Sequence, residues 1–164
     1  MKPINRKWLP HTVTLFNLYR DPNNGEMLYF RTFLDGVRID SRKTRLDTSP
    51  VGAKKIFSLM AFIDPASTRG YEYNDSSKRL DKPFKQLQAW RDSDINEKKS
   101  FWTLNDGDWL VFNLGGIVTE CPDINGSGLS DADFKNTYGV RALSSLNPSI
   151  DKSGLVHHWE VILD

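Results

Sequence analysis

Two adjacent histidines, His157 and His158, are the first residues in this chain whose type suggests chemistry, because imidazole is the commonest metal ligand in proteins. The run around them, Leu155 to Leu163 (LVHHWEVIL), reads as a strand, and neighbours on a strand point to opposite faces. In that conformation the pair does not chelate one ion. His11 lies far off in sequence, and the single Cys121 offers no Cys-based ligand pattern. Asp106 and Asp108 are the next candidates, since acid–base hydrolysis uses two carboxyl groups held at set distances. Their place in Asn105-Asp106-Gly107-Asp108 explains them as turn residues that bond their own backbone. Asp21, Asn23 and Glu26 around Gly25 resemble a calcium loop, but no carboxylate stands at the twelfth position. Gly126-Ser127-Gly128 lacks both the Lys of a phosphate loop and the frame of a nucleophile elbow. Cys121 has no evident His partner and reads as an inert thiol. The expectation is no catalytic residue, no metal and no cofactor, hence a protein that is not an enzyme.

What remains is charge of a plainer kind. Arg38, Arg42, Lys43, Arg45, Lys54 and Lys55 crowd one stretch in which Asp40 and Asp47 are the only acids. Ser41, Thr44, Thr48, Ser49, Pro50 and Gly52 lie between them, so residues 38–55 read as a basic loop. Such a loop is either simply solvated or meets a phosphate backbone, because point-charge contacts to phosphate need neither a pocket nor a fixed fold. The chain as a whole exerts no such pull: Lys+Arg of 22 against Asp+Glu of 21 leaves a net charge of +1.

The elements that would carry these residues are mostly strands. Phe101 to Thr119 (FWTLNDGDWLVFNLGGIVT) looks like the organising hairpin. Period-two alternation runs up to Leu104, the turn formers follow, and Trp109 to Phe112 returns. Trp102, Leu104, Trp109 and Val111, together with Trp159, are the expected core. Earlier, His11 to Tyr19 and Glu26 to Leu34 form a hairpin across Asp21-Pro22-Asn23-Asn24-Gly25, with Asp35-Gly36 as a bulge and Val37 and Ile39 continuing the second strand. Lys55 to Ile63 is a short buried strand. Residues 67–99 read as a long polar excursion, in which Phe84, Leu87 and Trp90 fall at helical spacing after Pro83. Ser130 caps a helical turn or two, Tyr138 to Leu143 is a strand, Ser144 to Gly154 a loop, and Leu155 to Leu163 the last strand. The fold class expected is mainly β: one domain over 1–164, a small antiparallel barrel or sandwich of about 6–8 strands with long loops and one or two short helices.

Bulk properties bound the rest. An apolar content of 38% and five Trp among 164 residues suffice for one core. One Cys forbids an internal disulfide, and no apolar run approaches the roughly 18 residues that cross a bilayer. Met1 to Pro10 is basic, interrupted by Pro3 and Pro10, and lacks the apolar centre of a signal peptide. It reads as an extended arm pinned by Trp8 and Leu9, on a soluble protein that stays inside a cell or assembles there.

WLPHTVTLFN, YFRTFLDGVR, FWTLNDGDWLVF and HHWEVILD, in that order, cover both ends and the middle of the chain. Together they resemble a family of tailed-phage minor structural proteins, encoded by phages and prophages of Gram-positive bacteria among the genes for the head-to-tail connector. The resemblance implies a virion component of the neck, such as a head-closure (stopper) protein: a small β-barrel that forms a ring beneath the portal. It further implies a ring of roughly six or twelve copies touching portal or adaptor and tail proteins, with loops toward the DNA channel and no membrane. The virion would be assembled in the bacterial host cytoplasm. On that reading residues 38–55 are the channel-facing segment in non-specific contact with packaged DNA. Trp8, in the arm, and Phe84, Leu87 and Trp90, in the excursion, are then the candidate assembly contacts. Other virion parts, such as a tail terminator, adaptor or capsid accessory, remain open, as does a small ligand-binding barrel.

Overall fold

The computed structural model describes residues 6–45, 55–74, 76–112, 130–150 and 156–164, with the backbone alone for residues 6, 42–45 and 55–58. Among the described residues eight strands and three short helices follow a 3-10 turn at Arg6–Trp8. In order they are β1 (His11–Arg20), β2 (Met27–Arg45), β3 (Lys55–Ile63), β4 (Arg69–Tyr73), β5 (Arg79–Lys82), α1 (Leu87–Arg91), α2 (Ile95–Ser100), β6 (Trp109–Phe112), α3 (Asp131–Tyr138), β7 (Arg141–Ile150) and β8 (Val156–Leu163). The sheet runs β1-β6-β7-β8-β3-β2, and β1 pairs β2 again, so six antiparallel strands close into a barrel. Closure removes the exposed edges that an open sheet would present. The hairpin of β4 and β5 continues the sheet outward from β2.

β2 is the strand on which this topology turns. Along one edge it pairs β1 from Met27 to Val37. Along the other it pairs β4 through Phe33, Leu34 and Asp35, then switches to β3 from Val37 to Arg45. Gly36 stands at the switch with φ of 91°, a region that side-chain-bearing residues rarely adopt. A turn centred on Asp64 hands the chain from β3 to β4: its carboxylate accepts from Ala66 N and Ser67 Oγ, and Thr68 Oγ1 donates to the Gly36 carbonyl at 2.8 Å.

The barrel interior is filled by Val13, Leu15, Leu34, Val37, Ala61, Ile63, Leu110, Leu143, Val161 and Leu163, with Trp102 and Leu104 packed among them. Trp159 is half-buried at the margin of the same cluster. Side chains of β1 and β6 that point the other way, Phe16, Trp109 and Val111, make a second cluster beneath Phe134 of α3. The expected core residues are therefore all in apolar clusters, divided between the two faces of the barrel wall. Burial of one large side chain is worth about 1.5–3 kcal/mol, so both clusters matter to stability.

Several expectations are corrected. The central hairpin does not form. Trp102 makes an isolated parallel bridge to Phe84, while β6 pairs β1 and β7. The physical reason lies in the turn: Gly107 N donates to the Leu143 carbonyl and Leu143 N to the Asp108 carbonyl, so residues 105–108 are bonded to β7. Residues 38–45 and Lys55 are strand rather than loop, because cross-strand pairing from Arg45–Lys55 inward outweighs their polar composition. The excursion at residues 67–99 is instead an integral part of the fold, comprising β4, β5, α1 and most of α2. Asp94 caps α2 by accepting from Glu97 N at 2.8 Å. β7 continues through the expected loop to Ile150, with Pro148 opposite Trp159. There β7 has β8 as its one strand partner among the described residues, and an outer edge tolerates a residue without an N–H. Gly115, Gly116, Ile117 to Thr119, Cys121 and Gly126 to Gly128 lie outside the described residues.

Candidate functional site

The basic segment is built by the length of β2. Its pairing with β1 ends at Val37, and the pairing of β3 with β8 ends at Leu59. Beyond those points Arg42–Arg45 and Lys55–Ser58 have each other as their strand partners among the described residues. They form a two-stranded ribbon that carries Arg42, Lys43, Arg45 and Lys55 out of the barrel wall. Lys54 lies outside the described residues. Arg38, at the root of the ribbon, is tied down locally: its Nε donates to Asp40 at 2.9 Å and its guanidinium lies 6.0 Å from the Phe62 ring centroid. A half-exposed pair of this kind contributes little to stability, but it does cancel Arg38 as a free positive charge.

The expected assembly contacts separate into two groups. Trp90, in α1, is buried to 1% exposure, edge-on to Tyr19 and Phe30, and its indole N–H donates to the Lys98 carbonyl. Phe84 is half-buried against Trp102, with ring centroids 4.9 Å apart, and Leu87 is half-buried as well. Trp90 and Phe84 are thus internal anchors, because an amphipathic segment first satisfies its apolar face against its own barrel. Lys98 completes the arrangement. Its buried ammonium donates to the carbonyls of Arg91 and Ser93 at the C-terminal end of α1 and lies 4.5 Å from the Tyr19 ring centroid. Burial pulls its pKa down, opposed by Asp94, Asp92 and Glu97. Trp8 differs: it is 63% exposed, and the neighbouring Leu9 is the residue that pins the arm.

Asp108 is a structural carboxylate. It accepts from Asn17 Nδ2 at 2.6 Å, Leu18 N at 2.9 Å and Asn105 N at 3.0 Å, which stitches β1 to the 105–108 turn. Burial pushes its pKa up to about 7, while those three donors and Arg91 pull the other way. Asp106 is exposed, so the two carboxyls do not share a site. Burial and the hydrogen bond donated to Asp131 at 2.6 Å push the Tyr29 phenol up; that bond ties β2 to the first turn of α3.

His157 and His158 do not diverge as expected. Ser149 pairs His158 and Ile150 pairs Val156, which leaves His157 as the extra residue of a β-bulge. The bulge re-aims the ring, and the two Nδ1 atoms lie 3.0 Å apart, one donating to the other. Among the described residues no group of three or more His, Cys, Asp or Glu side chains is placed to hold a metal. No helix among them is long and apolar enough to cross a membrane.

The feature that sequence reasoning missed is a cleft of about 710 Å³ where the β1–β2 turn, the β4–β5 hairpin and α2 meet. On one wall Glu72 holds Arg31 at 2.6 Å and Lys82 at 3.5 Å, and Lys82 also donates to the Arg31 carbonyl. Around it stand Tyr73, Leu80 and Ile95, three large apolar residues left in contact with solvent. A more open hollow of about 690 Å³ lies by Pro83, Phe84 and Trp102. The signal for the cleft was present only as apolar residues inside a polar stretch. Which of them stay exposed is decided by the docking of α2. Comparison with known protein families, with curated proteins and with solved structures finds no match, so the functional reading rests on these residues and their geometry.

Proposed function

We propose that this chain is a structural protein of a tailed-phage virion: a neck subunit that forms a ring between portal or adaptor and tail and helps retain packaged DNA. The observation that carries the reading is the basic ribbon, residues 42–45 with 55–58, extended beyond the strands that close the barrel. A ribbon of that kind places positive charge on duplex phosphate without a base-reading element, which suits DNA that must be held and then released. The filled interior also supports the reading. Val, Leu, Ile and Trp side chains occupy the positions where a ligand-binding barrel would keep polar groups. The chain has no catalytic role on this reading. Its partners are further copies of itself, portal or adaptor proteins, tail proteins and, non-specifically, DNA.

The test is the triple replacement of Arg42, Lys43 and Arg45 by Ser in the phage or prophage genome. Particles are expected to assemble while leaking DNA or failing to close, read as released DNA by nuclease-protection assay. Normal DNA retention in that variant refutes the channel role of the ribbon.

A further inference from the structure

We propose that His157 and His158 form a two-nitrogen site for a soft monovalent metal ion, Cu(I), held on the line between their Nδ1 atoms. The inference uses no part of the basic ribbon and stands independently of the virion reading.

Regular strand geometry would keep the two rings on opposite faces of β8. The bulge removes that obstacle, since Ser149 pairs His158 and Ile150 pairs Val156, with His157 as the extra residue. Bulges that re-aim a side chain recur beside functional sites. The result here is an Nδ1-to-Nδ1 separation of 3.0 Å. The ring centroids lie 5.3 Å apart, further than the nitrogens by about the width of one ring. Both Nδ1 atoms therefore lie close to the line joining the rings, and the lone pair of one faces the proton of the other.

The surroundings decide which ring carries that proton. Glu160 Oε1 lies 3.7 Å from His158 Nε2, and a carboxylate on that side favours the tautomer with its proton on Nε2. His158 Nδ1 is then the acceptor and His157 Nδ1 the donor. A carboxylate behind a ligating imidazole is the recurrent arrangement at metal centres, where it fixes the tautomer and raises the basicity of the ligand. Phe62 flanks His158, with ring centroids 6.0 Å apart. Arg38, whose guanidinium also approaches the Phe62 ring, is paired with Asp40. The charge set against the His158 ring is thus the Glu160 carboxylate, the sign that favours a cation.

The class of ion follows from the collinear nitrogens. Putting an ion in place of the proton, about 2.0 Å from each nitrogen, opens the pair to about 4 Å, a movement of about 0.5 Å per ring. Both side chains are half-buried, which leaves room for that movement and a path for entry. Two opposed nitrogens complete the coordination of a monovalent ion with a filled d shell, and imidazole suits copper. Zinc instead takes four ligands in a tetrahedron, and opposed lone pairs do not converge on such a centre unless both rings turn. Binding transfers no electron and releases no net proton. The proton of His157 passes from Nδ1 to Nε2 by exchange with solvent, and the freed Nδ1 lone pair bonds the ion.

The experiment is nitrogen NMR of the imidazole rings in the full chain, titrated with Cu(I) under ascorbate and with Ag(I) as its air-stable analogue. Cys121→Ser is titrated in parallel, because a thiolate competes for soft ions of this kind. In that variant one equivalent of either ion is expected to move the Nδ1 resonances of His157 and His158 together and to leave those of His11 in place. His157→Gln and His158→Gln are each expected to abolish the shift at the remaining ring. The titration of the chain with both histidines intact decides the proposal even where one of these variants folds poorly. A shift confined to one of the two rings overturns it, as does an equal shift at His11. So does a Cys121→Ser chain that takes up neither ion.

Discussion

The two halves of β2 are one continuous strand under opposite constraints. From Met27 to Val37 it has β1 on one edge, with β4 beside part of the other, and it buries Phe30, Thr32, Phe33, Leu34 and Val37. From Arg38 to Arg45 its strand partner is β3, and its residues are Arg, Ile, Asp, Ser, Arg, Lys, Thr and Arg. Hydrogen bonding along the backbone continues through both halves without regard to side chains. Among the described side chains of this strand, full burial ends at Val37. The comparison teaches that strand length and core length are separate quantities: one is set by a partner's backbone, the other by how many layers surround the strand.

The most direct way to break this contrast is Trp102→Ala. Trp102 is fully buried in the same cluster as Leu34 and Val37, so its truncation should destabilise by about 3–5 kcal/mol, read from the urea midpoint at constant slope. A shift of less than about 1 kcal/mol would show that the packed half of β2 does not depend on this ring. Gly70→Ala comes next. Gly70 pairs Leu34, and a Cβ there would overlap the Trp102 indole and the Lys82 carbonyl. A loss of about 1–3 kcal/mol is expected from that overpacking; an unchanged midpoint would mean that the hairpin moves freely off the barrel.

Asp108 sharpens the comparison through pH. Its carboxyl is raised in the folded state from 3.8 to about 7, so the fold holds that proton more tightly than the unfolded chain does. The stabilising contribution is fully present below about pH 3.8 and is lost as pH rises through about 7. Relative to Asp108→Asn, wild type should lose stability across that window with a slope of at most about 1.4 kcal/mol per pH unit. Parallel pH profiles for the two proteins would show that Asp108 ionises alike in both states. The smallest effect belongs to the ribbon. The Arg42, Lys43 and Arg45 to Ser variant should unfold within about 0.5 kcal/mol of wild type, as expected of polar positions on a ribbon with no further strand partner among the described residues. A larger loss would mean that the ribbon is packed after all.

Much of the barrel was legible from local pattern. β1, the start of β2, β3, α3 and β8 fall close to where apolar alternation, the turn at residues 21–25 and the Ser130 cap place them. The ends of β2 and β7 were not legible, since Arg42, Lys43 and Arg45 or Asn147 and Pro148 carry no strand signal of their own. Trp90 and Phe84 illustrate the same limit for the candidate contacts. Helical spacing marks an apolar face but does not say whether that face meets the chain's own barrel or another molecule.

By itself the sequence determined the β class, the near-neutral charge with one basic stretch, and the residues large enough to build a core, because these follow from composition and short-range periodicity. The tertiary structure alone decided that residues 105–108 bond to β7 instead of closing a hairpin, and that a bulge turns His157 toward His158. It also decided that Trp90 is hidden while Trp8 and the cleft residues Tyr73, Leu80 and Ile95 stay exposed. Each of those outcomes depends on partners distant in the chain, and a strand or an aromatic ring carries no local record of which distant surface will cover it.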